Sequence, residues 1–450
     1  MAPTSSTQSK PNVIVILVDD LGWGDLGCYG ATDLRTPHID SLAASGIKFN
    51  NFFANSSVCS PSRASLLTGR YPGFVGVPGV IRTFDRSNYG YFDPQAATLA
   101  DMFNKSGYHS SIIGKWHLGL ESPNTPNERG FDFFHGFLGD MMDDYYTHLR
   151  HDRNYMRKNI ENIDPRGHAT DLFSNWANEY LKERARRREP FFLYLAYNAP
   201  HTPIQPPEEW YQRVLARESG IDEKRARLVA LIEHLDQGIA QVLNTLQETG
   251  LAKDTIVIFN SDNGGELGAG ANVGPWRGGK AHMYDGGLRV PMCASWPGVI
   301  KPETLTNARA LTMDIYPTVL DAAGISVDHE IEGRSLLAVL ENARLELPAR
   351  DEYFVFLQHG IREAAYSDGY KLVRDQPEMS SYELFDVGKD PYEECDVAAE
   401  ENEKLIDLTS RMQRHLHTLW STQWRRPSQL ETGETVMGEF GIPNPETPDA

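Results

Sequence analysis

Three uninterrupted apolar runs limit the folds that are open to this 450-residue chain. They occupy residues 12–18, 191–197 and 255–259, and they are rich in β-branched and aromatic side chains. Runs without polar alternation are typical of strands that are buried on both faces of a parallel sheet. Because ligands of open α/β sheets gather at the carboxyl ends of the strands, we expect the functional site at that edge.

Polar side chains follow two of these runs directly. Asp19 and Asp20 come after the first run, and Asp262 and Asn263 follow the last one closely. Carboxylate and amide oxygens are the ligands that a hard cation such as Ca²⁺ prefers. The alternative interpretation is that adjacent aspartates are solvated turn residues, which is the more common case.

Residues 57–70 contain the candidate reactive side chain. Cys59 ends a loop, Pro61 suits the first turn of a helix because its missing N–H needs no partner there, and Arg63 follows one turn later. The N–H groups of a helix start and an Arg guanidinium both stabilise an oxyanion such as sulfate or phosphate. The alternative is a buried structural cysteine beside a helix start.

Three further candidates lie after predicted strands or in a loop. Lys115 and His117 follow the strand expected at residues 108–113, and His201 lies on a loop that Pro200 and Pro203 stiffen. From about residue 351 short alternating runs at 353–357, 364–367, 370–373 and 382–385 predict a small antiparallel sheet.

These segments together resemble the formylglycine-dependent sulfatases of the alkaline phosphatase superfamily. The resemblance rests on seven segments: V-D-D-L-G-W-G-D at 18–25, C-S-P-S-R with L-L-T-G-R at 59–70, G-Y-H-S-S-I-I-G-K-W-H at 107–117, A-P-H at 199–201, S-D-N-G at 261–264, the segment from G-K to R-V-P at 279–291, and E-L-F-D-V-G-K-D-P at 383–391. The match therefore spans nearly the whole chain.

The resemblance implies an α/β fold of the alkaline-phosphatase type. Helices would sandwich a large mixed, mostly parallel sheet, and a small antiparallel sheet would form a C-terminal subdomain. We expect a flexible N-terminus at residues 1–11, a catalytic domain at 12–350, and an α+β subdomain with a loosely packed tail at 351–450.

The resemblance also implies the hydrolysis of sulfate monoesters by a formylglycine that is made from Cys59. A maturation enzyme, either formylglycine-generating or anaerobic sulfatase-maturating, would be required. One Ca²⁺ per chain would be held by Asp19, Asp20, the modified Cys59, Asp262 and Asn263.

Roles in catalysis come from the same resemblance. Arg63 would hold the formylglycine hydrate, and Lys115 and Lys280 would clamp sulfate oxygens. Lys280 or His201 would protonate the leaving oxygen, and His117 would act as the base. The resemblance assigns no role to His282 or Arg289.

The charge balance bears on the substrate. Lys and Arg number 43 against 62 Asp and Glu, a net charge of −19, which argues against nucleic acid and against a long polyanion in a basic groove. We expect an exo-acting carbohydrate sulfatase whose pocket is shaped by loops at 73–90 and 121–168. Arg150, His151 and Arg153 are weaker candidates there.

The sequence gives little information about compartment. The first ten residues contain no apolar segment, no transmembrane run is present, and four cysteines form no recognisable disulfide framework. As written, the chain would be cytoplasmic, and it would be periplasmic or secreted if a signal had been trimmed.

Two alternative functions remain open at this point. A phosphonate or phosphate ester hydrolase of the same superfamily would use the same metal, nucleophile and cations. An inactive sulfatase-like binding protein would leave Cys59 unmodified.

Overall fold

A computed structural model describes residues 10–83, 90–341, 352–357, 362–376 and 381–420. Within these residues a ten-stranded mixed sheet and a smaller four-stranded antiparallel sheet confirm the expected fold class. The expected tail after residue 425 and nearly all of the expected flexible N-terminus lie outside the described residues. The boundary expected at residue 350 also lies outside them, so the domain division stays a prediction.

The strands of the described residues are β1 (Asn12–Val18), β2 (Ile47–Phe49), β3 (Phe52–Phe53), β4 (His109–Lys115), β5 (Phe133–Phe137), β6 (Leu149–Arg150), β7 (Arg153–Asn154), β8 (Met156–Lys158), β9 (Glu161–Asn162), β10 (Phe191–Ala196), β11 (Thr255–Ser261), β12 (Met292–Ser295), β13 (Thr304–Thr306), β14 (Ala310–Leu311), β15 (Glu352–Leu357), β16 (Arg362–Ser367), β17 (Tyr370–Arg374) and β18 (Glu383–Asp386). The helices are α1 (Pro37–Ala44), α2 (Cys59–Thr68), α3 (Leu99–Lys105), α4 (Ala169–Arg187), α5 (Glu208–Arg217), α6 (Glu223–Glu248), α7 (Asp285–Leu288), α8 (Ile315–Ala322), α9 (Leu337–Glu341) and α10 (Asn402–Trp420).

The order of strands in the large sheet determines which strand ends lie together at one edge. The order is β13-β2-β12-β11-β1-β10-β4-β5-β8-β9, and neighbours from β11 to β5 pair in parallel. The strands outside this central group join it through antiparallel pairs, β11 with β12 and β5 with β8. The carboxyl ends of five adjacent strands therefore lie along one edge of the sheet.

Strand β1 explains why its sequence lacks polar alternation. Val13 and Val15 point into the core that contains side chains of α2, α3 and α8, whereas Ile14 and Ile16 point into the core that contains α1, α4 and α6. Helices thus cover both faces of the sheet, and every side chain of β1 is buried. Within the described residues, every helix is too short or too polar to span a bilayer.

The stretch at 121–168 contains more regular structure than its sequence indicates. Although its sequence shows no strong period, it includes β5 of the large sheet and the short strands β6 to β9. Within β5, Gly136 lies so close to β4 that an added Cβ would be 2.0 Å from the carbonyl oxygen of Gly114. Because β5 contains Gly136 and His135, its sequence is not a continuous apolar run.

The smaller sheet confirms the predicted antiparallel C-terminal strands. Strands β15 to β18 pair in chain order, and Leu372 and Leu384 pack with Leu408 and Met412 of α10. The same core includes Met283 beside α7, so this sheet also packs against the segment that follows Lys280.

A buried ion-pair network joins the two parts of the fold. Lys371 of β17 lies 2.7 Å from an oxygen of Asp285 and 2.6 Å from an oxygen of Glu393. The second oxygen of Asp285 accepts from Arg289 at 2.8 Å. Because buried carboxylates need partners, this network fixes α7 against the small sheet.

Replacement of Lys371 tests this connection. Lys371→Met leaves two buried carboxylates without its ammonium group, and we expect the free energy of unfolding to fall by about 3 kcal/mol. Lys389→Met is the matched control, because Lys389 is exposed in its pair with Asp386. Urea unfolding of both variants measures the difference, and equal midpoints would contradict the structural role of Lys371.

Candidate active site

The carboxyl edge of the large sheet gathers the side chains that the sequence singled out. Asp19 and Asp20 follow β1, Lys115 ends β4, His201 follows β10, and Asp262 follows β11. All five side chains are buried. Their sequence separation is large, so the parallel sheet is what brings them together.

Cys59 is the first residue of α2, as the sequence predicted. Its Sγ lies 3.3 Å from Oδ1 of Asp19 and 4.0 Å from Oδ1 of Asp20. Burial raises the pKa of the Cys59 thiol well above its usual value, and the charge of Asp19 raises it further. An unmodified Cys59 is therefore a neutral thiol and a poor nucleophile.

Each of three carboxylates at this edge is paired with a cation. The pairs are Asp19 with Lys115 Nζ at 2.5 Å, Asp20 with Lys280 Nζ at 2.6 Å, and Asp262 with Arg63 at 2.7 and 3.0 Å. Arg63 and Lys115 are wholly buried. The arrangement therefore places buried positive charge around a cysteine at a helix start, which suits an oxyanion.

The pKa values follow from this crowding. Burial opposes ionisation of Asp19, but Lys115 and the neighbouring cations outweigh it and hold its pKa well below the usual value. Burial and the charge of Asp19 raise the pKa of Asp262. Carboxylates that disfavour one another's ionisation form a site that a divalent cation would stabilise.

The donor set at this edge fits a hard cation. Nδ2 of Asn263 donates to Oδ1 of Asp20 at 2.8 Å and to the carbonyl oxygen of Gly264 at 2.9 Å. Oδ1 of Asn263 is buried and has no hydrogen-bond partner within the described part of the chain. An orphaned amide oxygen beside the carboxylates of Asp19, Asp20 and Asp262 is the ligand type that Ca²⁺ prefers.

His117 is held in one protonation state by its surroundings. Its Nε2–H donates to the carbonyl oxygen of Ile81 at 2.8 Å, while its buried Nδ1 has no partner among the described residues. Burial lowers the pKa of His117 well below its usual value, and Lys115 and Arg63 lower it further. The side chain is therefore a neutral imidazole whose Nδ1 can accept a proton.

His201 is oriented toward Lys280. Its Nδ1–H donates to the carbonyl oxygen of Thr202 at 2.7 Å, so Nε2 accepts from Nζ of Lys280 at 3.0 Å. Burial lowers the pKa of His201, and the charge of Lys280 adds to this effect.

Tyr145 is a site-supporting residue that sequence reasoning did not identify. Its buried hydroxyl lies 2.9 Å from the carbonyl oxygens of both Asn198 and His201, and so it holds the loop that carries His201. No local pattern could have indicated this contact, because 56 residues separate Tyr145 from His201.

The three weaker candidates in the 121–168 stretch are either ion-paired or exposed to solvent. Arg150 is paired with Asp140 at 2.9 Å and with Asp143 at 2.7 Å. His151 is exposed on the turn between β6 and β7, and Arg153 is exposed at the start of β7. The structure thus places Arg150 in ion pairs within its own segment of the chain.

A second group of possible metal ligands consists of His168, Asp171 and His234. Nδ1 of His168 accepts the N–H of Thr170 at 3.2 Å, and its Nε2–H donates to the carbonyl oxygen of Gln205 at 3.0 Å. Because both nitrogens of His168 are committed, this group does not offer a complete ligand set.

Comparisons with known proteins agree with this geometry. The protein family described as Sulfatase matches residues 11–325, and the one described as N-sulphoglucosamine sulphohydrolase, C-terminal, matches residues 277–422. N-acetylgalactosamine-6-sulfatase of Homo sapiens is 32% identical in an alignment of 363 residues that covers 76% of this chain and 68% of that protein. Steryl-sulfatase of Homo sapiens is 30% identical in an alignment of 422 residues that covers 75% of this chain and 70% of that protein.

Solved structures also match over nearly the whole chain. Ps i-CgsB in complex with k-i-k-neocarrahexaose has a TM-score of 0.85 and 28% sequence identity, and the match covers 96% of this chain and 98% of that chain.

Calcium binding can be tested through stability. We expect Ca²⁺ to raise the thermal unfolding midpoint, because a ligand that binds only the folded state stabilises it. Asn263→Ala should remove this increase, since it deletes the orphaned oxygen. Asp171→Asn is the matched control and should keep the full increase. Calcium stabilisation that persists in Asn263→Ala, or that is lost in Asp171→Asn, would contradict this site.

Proposed function

Because this chain belongs to the sulfatase family, a family of sulfuric ester hydrolases, we propose that it removes sulfate from a sulfated saccharide. The observation that carries the proposal is the position of Cys59 at the start of α2, beside Asp19 and Asp20 and facing buried cations. Sulfate esters need charge neutralisation, a nucleophile and a proton donor for the leaving oxygen.

Two kinds of support favour a saccharide as the leaving group. The similar proteins include an N-acetylgalactosamine-6-sulfatase and a structure in complex with a neocarrahexaose. The steryl-sulfatase among the relatives keeps a lipid substrate as the alternative. We also propose exo action, because Arg63 and Lys115 are wholly buried and a sulfate group at a chain end can reach them most easily.

We propose that Cys59 is converted to formylglycine by a maturation enzyme, either formylglycine-generating or anaerobic sulfatase-maturating. A formylglycine at residue 59 would supply, as its hydrate, one hydroxyl as the nucleophile toward sulfur and a second hydroxyl whose loss of a proton would restore the aldehyde and release sulfate. Calcium, when held by residue 59, Asp19, Asp20, Asp262 and Asn263, polarises the sulfuryl group and favours the ionised nucleophile.

The cations of the chain position the substrate. Lys115 and Lys280 are placed to clamp sulfate oxygens, and both lie within hydrogen-bond distance of the aspartates beside Cys59. Arg63 reaches Asp262 and the carbonyl oxygen of Lys115. Its guanidinium also lies 3.5 Å from Oδ1 of Asp19, the carboxylate beside Cys59, and we assign to it the holding of the hydrate of residue 59.

Two proton transfers fall to the neutral histidines and to Lys280. Nδ1 of His117 is the buried acceptor that can take the proton of the second hydroxyl. Lys280 carries a proton and donates to Nε2 of His201, so this pair is placed to supply a proton to the leaving oxygen.

Two buried cysteines provide a matched test of the nucleophile. Cys59→Ala should abolish sulfate release, whereas Cys293→Ala should retain it, because Cys293 is buried in the core that contains α1 and its charged neighbours are Asp40 and Lys48. Sulfate and phosphate are measured side by side from sugar and nitrophenyl monoesters, with Ca²⁺ present.

Either of two results would contradict this proposal. Sulfate release by Cys59→Ala equal to that of the parent would exclude a nucleophile at residue 59. Preferential release of phosphate by the parent would assign the site to the phosphate ester hydrolases instead.

The pH dependence tests the role of His117. A histidine with its usual pKa of about 6.5 would lose its base form as the pH falls to about 6. Since burial holds the pKa of His117 well below that value, kcat should stay level between about pH 8 and about pH 6 and fall only below. A half-maximal kcat near pH 6.5 at saturating substrate would contradict this assignment.

A further inference from the structure

The charged side chains of the site differ in their exposure to solvent. Those of Arg63 and Lys115 are 0% exposed, His201 is 9% exposed and Lys280 is 16% exposed. A substrate that places its sulfuryl group among the buried cations must extend its leaving group toward solvent. Lys280 is the most exposed of these four side chains, so a leaving group that extends toward solvent can lie beside it.

His282 follows Lys280 by two residues, and its side chain is 44% exposed. A tight turn connects the two residues, because the N–H of His282 donates to the carbonyl oxygen of Gly279 at 2.9 Å. The turn is fixed to the site, since the N–H of Lys280 bonds Gly265 and that of Ala281 bonds Ser57, two residues before Cys59. His282 is thus held at the rim of the site.

Asp375, which follows β17 of the small sheet, orients His282. Nδ1–H of His282 donates to Oδ2 of Asp375 at 2.6 Å, and Oδ1 of Asp375 accepts the N–H of Met283 at 2.5 Å. This pairing makes Nδ1 the donor and turns Nε2 away from Asp375. Nε2 has no hydrogen-bond partner among the described residues and is open to a ligand.

The charges around His282 are mixed. A guanidinium nitrogen of Arg362 donates to the carbonyl oxygen of Ala281 at 2.6 Å. The hydrogen bond to Asp375 raises the pKa of His282, whereas burial and Arg362 lower it and Glu266 raises it. A rim with a cation, an anion and an imidazole offers both donors and acceptors, which suits the hydroxyl groups of a sugar better than a second anionic group.

We propose that Nε2 of His282 hydrogen-bonds a hydroxyl of the leaving saccharide, with Arg362 and Glu266 completing this sugar subsite. Asp375 is the positioning residue that fixes the imidazole. The subsite joins a loop of the catalytic domain to the small sheet, so the C-terminal part of the chain takes part in substrate recognition. This inference rests on the proposed function.

The test uses the full-length, calcium-loaded protein that contains formylglycine. The probes are N-acetylgalactosamine 6-sulfate, a sulfated carrageenan oligosaccharide and 4-nitrophenyl sulfate. For the saccharide that the parent cleaves best, His282→Ala should lower kcat/KM by about 10-fold, because one hydrogen bond to the substrate is lost. The change should appear mainly as a higher KM. The inhibition constant of inorganic sulfate should not change, because sulfate occupies only the buried cation pocket.

Two further variants serve as controls. His329→Ala removes another histidine that is paired with an aspartate, Asp328. His329 bonds the hydroxyl of Tyr316, which packs on Gly69 at the end of α2 opposite to Cys59. This variant should keep the parental kcat/KM. Asp375→Asn should shift the pH dependence of KM to lower pH, because His282 loses the charge that favours its protonated form.

The outcomes separate this inference from the proposed function. An unchanged kcat/KM in His282→Ala, or a parallel rise in the inhibition constant of sulfate, overturns the sugar subsite. Sulfate release from 4-nitrophenyl sulfate alone also overturns it. If the parent releases sulfate from none of the probes, the proposed function itself fails.

Discussion

Three carboxylates buried at one edge of a parallel sheet are the constraint on which this structure depends. A buried charge without a partner costs several kcal/mol, so Asp19, Asp20 and Asp262 each require a cation. Those cations come from a helix start, a strand end and a distant loop, as Arg63, Lys115 and Lys280. The same three cations lie beside the carboxylates that flank Cys59, where their N–H groups can also bind a sulfate ester.

Local sequence patterns predicted the strand that carries Asp19 and Asp20 and the helix start at Cys59, because residues close together in sequence determine both. A continuous apolar run followed by Asp19 and Asp20 indicates a buried strand and its carboxyl end, because both faces of such a strand are covered. Cys59, Pro61 and Arg63 indicate a helix start, because the N–H groups there have no partner within the helix. The structure has both features at the expected positions.

Other features could not be predicted from the sequence, because distant contacts determine them. Strand β5 is hidden by the glycine that close packing against β4 requires. Lys371 and Asp375 look like ordinary charged residues near the end of the chain, yet they bind α7 and His282 across about 90 residues. The small sheet is thus more than an appendage, since it fixes the segment that carries Lys280.

We propose that sulfate hydrolysis by this chain depends on a formylglycine at residue 59. The most direct measurement prepares the protein with graded amounts of a formylglycine-generating enzyme. Mass spectrometry then gives the converted fraction of Cys59, and the rate of sulfate release is measured on each preparation. We expect the rate of sulfate release to be proportional to the converted fraction and to be zero without conversion. A rate that does not depend on the converted fraction would contradict this proposal.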